Sequence, residues 1–122
     1  MSEHNETGKQ GEQAAVEYLI KKGYKIIARN WIYMKKEIDI VAQDKNKMVF
    51  VEVKTRATTA FELPKEAVTK KKMRNLVFAA DAYLIENEID LESRFDIVSV
   101  LAQEGFKIPE HIEDAFRANE LL

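Results

Sequence analysis

The stretch that decides the fold is Glu37-Ile38-Asp39-Ile40-Val41, followed after a short polar turn by Phe50-Val51-Glu52-Val53-Lys54-Thr55. Both segments are rich in β-branched and aromatic residues, which predicts two neighbouring strands. Each also carries an acid among apolar neighbours, where a charge is costly to bury unless it is paired or binds a metal. We therefore expect Asp39 and Glu52 to lie together in the sheet.

The turn chemistry of Asp44-Lys45-Asn46 makes a hairpin of strands at 37–43 and 47–56. Alternation along the second strand places its valines on one face and, on the other, Met48, Phe50, Glu52 and Lys54. Because both faces are apolar until the end, this strand is expected to be central and covered on both sides. Glu52 and Lys54 then emerge together on one face.

A helical pattern runs from Gly8 to Lys22 and ends at Gly23, after a flexible tail over residues 1–7. Glu12 lies on its apolar face, since it precedes Ala15 by three positions and the next apolar residues by four and seven. Proximity to the helix N-terminus gives this acid a modest favourable field. A role for Glu12 in a metal site would explain a carboxylate on the apolar face of the helix better than the field of the helix N-terminus does.

Further along the chain we expect a strand at 24–30, a connection at 57–63, a helix from Pro64 to about Asn87, a strand from Arg94 to Leu101 and a short helix over 108–122. The predicted fold is a single α/β (α+β) domain over residues 1–122, with a mixed central sheet flanked by helices on both faces. In the long helix Lys72 belongs to the inward-facing row, four residues from Leu76.

Composition limits the range of functions. The chain has 122 residues and no cysteine, so thiolate chemistry, disulfides and cysteine-ligated metals are excluded. No secretory signal or apolar membrane span is visible, and we expect a cytoplasmic protein. The 19 Lys and Arg against 21 Asp and Glu give a net charge of −2, although residues 65–74 are locally basic.

The acids suit phosphodiester hydrolysis. Mg²⁺ (or Mn²⁺) prefers hard oxygen ligands, lowers the pKa of a bound water and binds phosphate oxygens. Asp39 and Glu52 would be its primary ligands, and Glu12 would complete or orient the site. Lys54 would either act on the attacking water or stabilise charge on the phosphate. The alternative for Asp39, Glu52 and Lys54 is simple cross-strand ion pairing on a solvated face.

Several motifs in this order resemble the PD-(D/E)xK core of restriction endonucleases and archaeal Holliday-junction resolvases, and more closely the bacterial YraN-type family, which is endonuclease-like. Besides the acidic strands, the motifs are Gly11-Glu12, Arg29-Asn30-Trp31, Lys72, Arg94-Phe95-Asp96-Ile97-Val98 and His111-Ile112-Glu113-Asp114-Ala115-Phe116. The resemblance covers residues 8–116 and implies a restriction endonuclease-like fold. The chain departs from the family at Lys36, where glycine is usual.

The resemblance implies that the chain is a Mg²⁺-dependent endodeoxyribonuclease, a hydrolase acting on DNA or structured nucleic acid, with branched DNA as a candidate substrate. It gives the catalytic positions to Asp39, Glu52, Lys54 and, as an accessory acid, Glu12. Glu37 falls within the motif and would be an outer ligand or base partner. The implied nucleic-acid contacts are Arg56 and Lys72, with Lys70, Lys71 and Arg74 as weaker candidates.

Two other functions stay open on the sequence. One is a catalytically inactive nucleic-acid-binding module on the same fold, and the other is a protein-interaction domain. A homodimer would suit the cutting of two strands. We expect His111 to be a local hydrogen-bonding group rather than a ligand, and Trp31 and Tyr33 to pack in the core or a loop in preference to stacking on bases.

Overall fold

The computed structural model describes residues 5–57, 68–103 and 105–121. Its elements in chain order are α1 (Glu6–Lys21), β1 (Lys25–Tyr33), β2 (Lys36–Asp44), β3 (Lys47–Arg56), α2 (Lys70–Glu86), β4 (Glu92–Leu101), β5 (Lys107–Phe116) and a final 3₁₀ helix (Ala118–Leu121). Within these ranges no helix has the length and apolar character needed to span a membrane.

The five strands form one sheet in the order β1-β2-β3-β4-β5. Strands β3 and β4 are parallel, from Lys47 opposite Glu92 to Arg56 opposite Leu101, and the other neighbours are antiparallel. The predicted hairpin is confirmed, because β2 and β3 pair down to Asp44 opposite Lys47. A single parallel pair in an antiparallel sheet also confirms the predicted mixed α/β architecture.

The two faces of the sheet are buried by different helices. Leu19 of α1 packs with Val49 and Val51 of β3, whereas Leu76 of α2 belongs to the cluster that contains Phe50. All of these side chains are at most 2% exposed. The alternation predicted for β3 is therefore confirmed, and the sheet has a helix on each face.

Helix α1 begins earlier than the sequence predicts. Its N-cap is Asn5, whose side-chain oxygen accepts a hydrogen bond from Gly8 N at 2.7 Å. Glu6 is the first helical residue, so the predicted tail over residues 1–7 is too long, and residues 1–4 lie outside the described part of the chain. The predicted end is confirmed, since Gly23 has a φ of 101°.

Helix α2 begins at Lys70 with Thr69 as its N-cap, rather than at Pro64. The Thr69 hydroxyl accepts from Lys72 N at 3.1 Å, which satisfies one of the free amides of the first turn. Pro64 and the predicted connection at 57–63, except Ala57, lie outside the described residues.

The predicted final helix over 108–122 is wrong. Residues 107–116 form strand β5, which pairs with β4 through Ile97 opposite Ile112 and Val98 opposite His111. Ile112 and Phe116 are four residues apart, a spacing that is also typical of the apolar face of a helix. In addition, the pairing of β5 with β4 is irregular, so the alternation expected of a strand is not visible in the sequence. Residues 107–116 form a strand because the backbone N–H and C=O groups at the edge of β4 need hydrogen-bond partners in an apolar environment, and β5 supplies them.

Candidate active site

The regular pairing of β2 with β3 ends just before Asp39, and we call this the open end of the hairpin. Paired residues of β2 and β3 run from Asp44–Lys47 to Ile40–Val51. Beyond them, Asp39 Oδ2 accepts a hydrogen bond from Val53 N at 2.9 Å. A side-chain carboxylate thus occupies the place where a regular ladder would present a backbone carbonyl.

The same residue marks a break in strand alternation. Ile38 packs on the α2 side of the sheet, although Ile40, two positions later, packs on the α1 side. In a regular strand these two side chains would share one face. The neighbouring strand is irregular as well, because Asn30 has a φ of 51°. Asp39 therefore lies where the side-chain alternation of β2 is interrupted. At this position it is close enough to interact electrostatically with Glu52 on the α2 side of the sheet and with Glu12 on the α1 side.

Glu52 approaches this point from the α2 side. It is 7% exposed, and its Oε2 lies 3.1 Å from Lys72 Nζ. The inward position predicted for Lys72 is thereby confirmed. Lys54 is close enough for its charge to act on Glu52. The structure thus brings together Asp39, Glu52 and both lysines, as the sequence predicts.

Glu12 approaches from the α1 side. It is 8% exposed, accepts a hydrogen bond from Asn30 Nδ2 at 3.0 Å and lies 3.7 Å from Arg29 Nη2. Its position depends on Gly11, because a Cβ there would lie 2.0 Å from Thr55 Oγ1. The glycine lets α1 rest directly on the end of β3, and this contact brings Glu12 toward Asp39.

The pKa values of Asp39 and Glu52 are both raised. Burial raises the pKa of Asp39 well above its ordinary value, and the charge of Glu52 raises it further. The Val53 amide opposes this shift, whereas Glu12 and Glu37 add to it. Burial also raises the pKa of Glu52, against the lowering effects of Lys72 and Lys54. The site is therefore a desolvated cluster of negative charge that is only partly compensated by lysines.

The remaining predicted residues differ in their distance from this cluster. Glu37 is half-buried and acts electrostatically on both Asp39 and Glu52, so it belongs to the site. Arg56 donates to Ser99 Oγ at 3.4 Å, near the end of the parallel strands. The weaker phosphate candidates lie on the exposed surface of the first turns of α2, as predicted: Lys70, Lys71 and Arg74.

The donor set suits a hard divalent cation, because carboxylate oxygens are its preferred ligands and a dication would relieve their repulsion. In the described ranges, however, no three acids or histidines form a ready-made ligand cluster. The contacts explain this. Asp39 accepts from Val53, Glu52 lies against Lys72, and Glu12 accepts from Asn30. Binding of a cation would require small side-chain rotations away from these partners.

Sequence reasoning missed the residues that hold Glu12. From the sequence alone, Arg29 and Asn30 stand out only as part of a motif, and no local pattern indicates a role for Thr55. Asn30 offered a signal, because asparagine is disfavoured within strands and tolerates the left-handed conformation that it adopts here.

A second polar network lies beneath α1 and was also missed. His111 Nε2 donates to Asp96 Oδ2 at 2.7 Å, and Arg94 binds the same carboxylate through Nε and Nη2, each at 2.9 Å. Lys22 Nζ lies 3.0 Å from His111 Nδ1. His111 is a hydrogen-bonding group, as expected, but the expectation that it bonds locally is wrong, because its partners are Asp96 of β4 and Lys22 at the end of α1.

A mixed sheet covered by α1 and α2, with buried acids at the open end of a hairpin, defines an α+β protein with a polar site at one end of its central strand. The chain belongs to the family described as uncharacterised protein family UPF0102, whose model matches residues 11–100. This confirms the YraN-type resemblance at the level of the family.

Relatives match over nearly the whole chain. A UPF0102 protein of Phocaeicola vulgatus is 50% identical over 116 residues, covering 95% of this chain and 96% of the relative. The UPF0102 protein FP2501 of Flavobacterium psychrophilum is 51% identical over 117 residues, with 95% and 98% covered. A UPF0102 protein of Bacteroides thetaiotaomicron is also 51% identical over 117 residues, with 95% and 96% covered.

Proposed function

We propose that this protein is a divalent-metal-dependent endonuclease that hydrolyses phosphodiester bonds in DNA or structured nucleic acid. The observation that carries the proposal is the buried Asp39 carboxylate, which bonds to Val53 N and lies among the charges of Glu52, Glu12 and Glu37. Burying several acids together destabilises a fold, and groups perturbed in this way cluster at functional sites. The similarity of these motifs to the PD-(D/E)xK nucleases supports the same reaction and the restriction endonuclease-like fold.

Asp39 and Glu52 would hold the cation, Mg²⁺ or Mn²⁺, with Glu12 and Glu37 as further ligands or as acceptors for its waters. When bound, such a cation supplies positive charge for phosphate oxygens and makes a coordinated water more acidic. The Val53 amide bonds to one Asp39 oxygen and Lys72 pairs with Glu52, so each carboxylate has a protein partner that a bound cation would partly replace.

Lys54 is suited to an electrostatic role at the scissile phosphate. It follows Glu52 on the same face of β3, and its charge reaches that carboxylate. The Lys54 ammonium would stabilise the negative charge that develops on phosphate oxygens. We assign it this role rather than that of general base.

The nucleic acid would approach the open end of the β2–β3 hairpin, where the end of β3 and the first turns of α2 lie close to the acids. Lys72 and Arg56 would contact phosphates nearest the acids, and the exposed Lys70, Lys71 and Arg74 would contact phosphates farther out. A chain with a net charge of −2 needs such a local basic surface to bind a polyanion. We further propose that the protein acts in the cytoplasm and that a homodimer forms where two strands are cut.

One observation favours the alternative, a nucleic-acid-binding module without catalysis. In the described residues, Glu52 is already paired with Lys72 and no three acids form a ready ligand cluster. In that case the lysine would serve as a permanent counter-charge, and Asp39 would have no role in binding nucleic acid.

Cleavage of a substrate panel separates the two functions. Labelled duplex, branched and single-stranded DNA, and structured RNA, are incubated with Mg²⁺ or Mn²⁺ and with wild type, Asp39→Asn or Asp81→Asn. Asp81 is an exposed acid on α2 and serves as the matched control. The proposal predicts cleavage by wild type and by Asp81→Asn, and none by Asp39→Asn. Salt-sensitive binding without cleavage of any substrate, unaffected by Asp39→Asn, would support the binding module instead.

A further inference from the structure

The turn between β1 and β2 projects beyond the acidic cluster. Tyr33 pairs with Lys36, so Met34 and Lys35 form a two-residue turn. From Asp39 back to Lys35 the strand covers four residues, or about 13 Å at ~3.3 Å per residue. A duplex rises by about 3.4 Å per base, so the tip reaches bases a few steps from a phosphate bound at Asp39.

The tip carries apolar side chains in water. Met34 is 66% exposed and Ile32 is 61% exposed. Ile32 also lies directly opposite Glu37, one of the site's acids, in the strand pairing. Beside them, Lys35 is exposed and Lys36 half-buried, so Tyr33-Met34-Lys35-Lys36 contains two cations and no acid. This combination is complementary to a nucleic acid, with cations for phosphates and apolar groups for bases.

The backbone at the tip is costly for these residues. Met34 has a φ of 49° and Lys35 a φ of 66°, a left-handed turn in which asparagine and glycine are strongly preferred. A long apolar and a long cationic side chain therefore occupy positions where smaller residues would make a more stable hairpin. Such strain concentrates where the side chains themselves are needed.

The hairpin is also held rigidly. Trp31 stacks on Tyr33 with their ring centroids 6.0 Å apart and packs edge-on against Tyr83 of α2 at 5.1 Å. Lys36 Nζ lies 5.1 Å from the centre of the Phe78 ring, on the same helix. With its aromatic residues packed against α2, the hairpin presents Met34 and Ile32 outward in a fixed position.

We propose that Met34 and Ile32 insert between bases beside the bound phosphate, and that Lys35 contacts the neighbouring backbone. The substrate class is then DNA in which base pairing is interrupted next to the cleaved strand, such as a fork or a branch, in preference to continuous duplex. Apolar wedges are favoured at such places because unpaired bases cost less to unstack. This inference rests on the proposed function, since it assumes that the acids mark where the phosphate binds.

Binding measurements test the wedge separately from catalysis. A fork with 2-aminopurine at its junction and a duplex of the same sequence are titrated with the full chain in EDTA. The titration is repeated in Mg²⁺ with hydrolysis-resistant phosphorothioate linkages. Wild type is expected to bind the fork about fivefold more tightly or better, with increased 2-aminopurine fluorescence as the junction base is unstacked.

The informative variant is Met34→Asn, because asparagine suits the left-handed turn but cannot act as an apolar wedge. It is expected to raise the melting temperature slightly while abolishing both the fork preference and the fluorescence increase. Ile32→Ala should weaken the preference several-fold, and Ile85→Ala, which truncates a 69% exposed side chain farther along α2, should leave it unchanged.

An unchanged fork preference in Met34→Asn would overturn the inference, as would the absence of DNA binding by wild type. A change from dimer to monomer in Met34→Asn, with DNA binding unaffected, would also overturn it and identify the tip as a contact between copies. If wild type cleaves no substrate but Met34→Asn still loses the preference, the endonuclease proposal fails and the wedge stands. If wild type cleaves and the preference is unaltered by Met34→Asn, the wedge alone fails.

Discussion

Asp39 and Val53 are joined by a hydrogen bond that takes the place of a backbone contact between β2 and β3, with 2.9 Å between Oδ2 and N. The bond fixes the carboxylate at the point where the hairpin opens. It also identifies the appropriate substitution, because an asparagine at this position can still accept from Val53 through its amide oxygen. Asp39→Asn removes the charge and leaves this contact available.

In the absence of metal, Asp39→Asn is expected to stabilise the protein at neutral pH by about 0.5–2 kcal/mol. The folded-state pKa of Asp39 is raised by burial and then by the charge of Glu52, so ionisation opposes folding. The stability gained by Asp39→Asn should therefore be largest at pH values above the raised pKa. It should disappear as the pH falls to about 4, where the Asp39 carboxyl of wild type is protonated in the unfolded chain as well as in the folded one.

Urea denaturation across this pH range in EDTA measures the effect, with Asp81→Asn as the control for loss of an exposed acid. Saturating Mn²⁺ should reverse the order, because wild type gains binding energy that the variant lacks. A variant less stable than wild type at neutral pH in EDTA would show that the charge of Asp39 stabilises the fold.

Lys72→Met is expected to destabilise the metal-free protein by about 1–2 kcal/mol, since it leaves Glu52 buried without that ammonium. The value is below the ~3–5 kcal/mol of a fully buried broken pair because the Lys72 side chain is 37% exposed and partly screened. Adding Glu52→Gln should recover most of the loss. Thermal unfolding of the two single variants and the double variant provides the coupling energy, and strictly additive effects would contradict the pairing.

The same lysine should affect nucleic-acid binding. If Lys72 contacts a phosphate, Lys72→Met reduces the slope of log K against log salt by about one. Lys25→Met removes an exposed cation at the far end of the sheet, opposite Gln43 in the strand pairing, and should leave the slope unchanged. Equal slopes for Lys72→Met and wild type would exclude the phosphate contact.

Gly11→Ala is expected to destabilise the protein by about 1–3 kcal/mol, although alanine is the better helix former. The added methyl group would lie 2.0 Å from Thr55 Oγ1 and 2.9 Å from Thr55 Cβ, so α1 must move away from β3. Thr55→Ala should restore only part of the stability, because its Cβ remains. Gln10→Ala, on the exposed side of the helix, is the control for helix propensity in equilibrium unfolding.

Asp96→Asn should cost about 3 kcal/mol at neutral pH, because it removes the buried carboxylate that binds Arg94 and leaves the guanidinium to the more exposed Asp44 and Glu113. Burial alone would raise the pKa of Asp96, but hydrogen bonds from His111, Arg94 and the Asp114 backbone lower it below its ordinary value. Its contribution is therefore present above about pH 4 and is lost as the pH falls through the lowered pKa.

Acid unfolding monitored by circular dichroism tests this network. Stability of Asp96→Asn should depend less on pH below about 4 than that of wild type, and Asp90→Asn, at an exposed position, should follow wild type. Parallel pH profiles for Asp96→Asn and wild type would contradict the assignment.

Local patterns were sufficient to predict much of this architecture. Alternation in β3 correctly separated the valines that face α1 from Phe50 and Glu52, which face α2, and the polar turn at Asp44-Lys45-Asn46 correctly placed the hairpin. The inward position of Lys72 followed from helical spacing alone. Each of these features depends on residues close together in the chain, where periodicity is informative.

The errors arose where contacts between distant segments outweigh local pattern. Strand β5 forms because the edge of β4 needs backbone partners, and its own spacing imitates a helix. The twist that places Ile38 and Ile40 on opposite faces breaks the alternation from which strand faces are predicted. Contacts such as Asn30 with Glu12, or His111 with Asp96, join segments whose proximity no local pattern could indicate.

The most direct test of the central claim, that the acids at the open end of the hairpin hold a divalent cation for phosphodiester hydrolysis, is calorimetric titration of Mn²⁺ into wild type, Asp39→Asn and Asp81→Asn at neutral pH. The account predicts saturable binding to wild type and to Asp81→Asn, and none to Asp39→Asn. Absence of binding to wild type, or equal binding to wild type and Asp39→Asn, would contradict it.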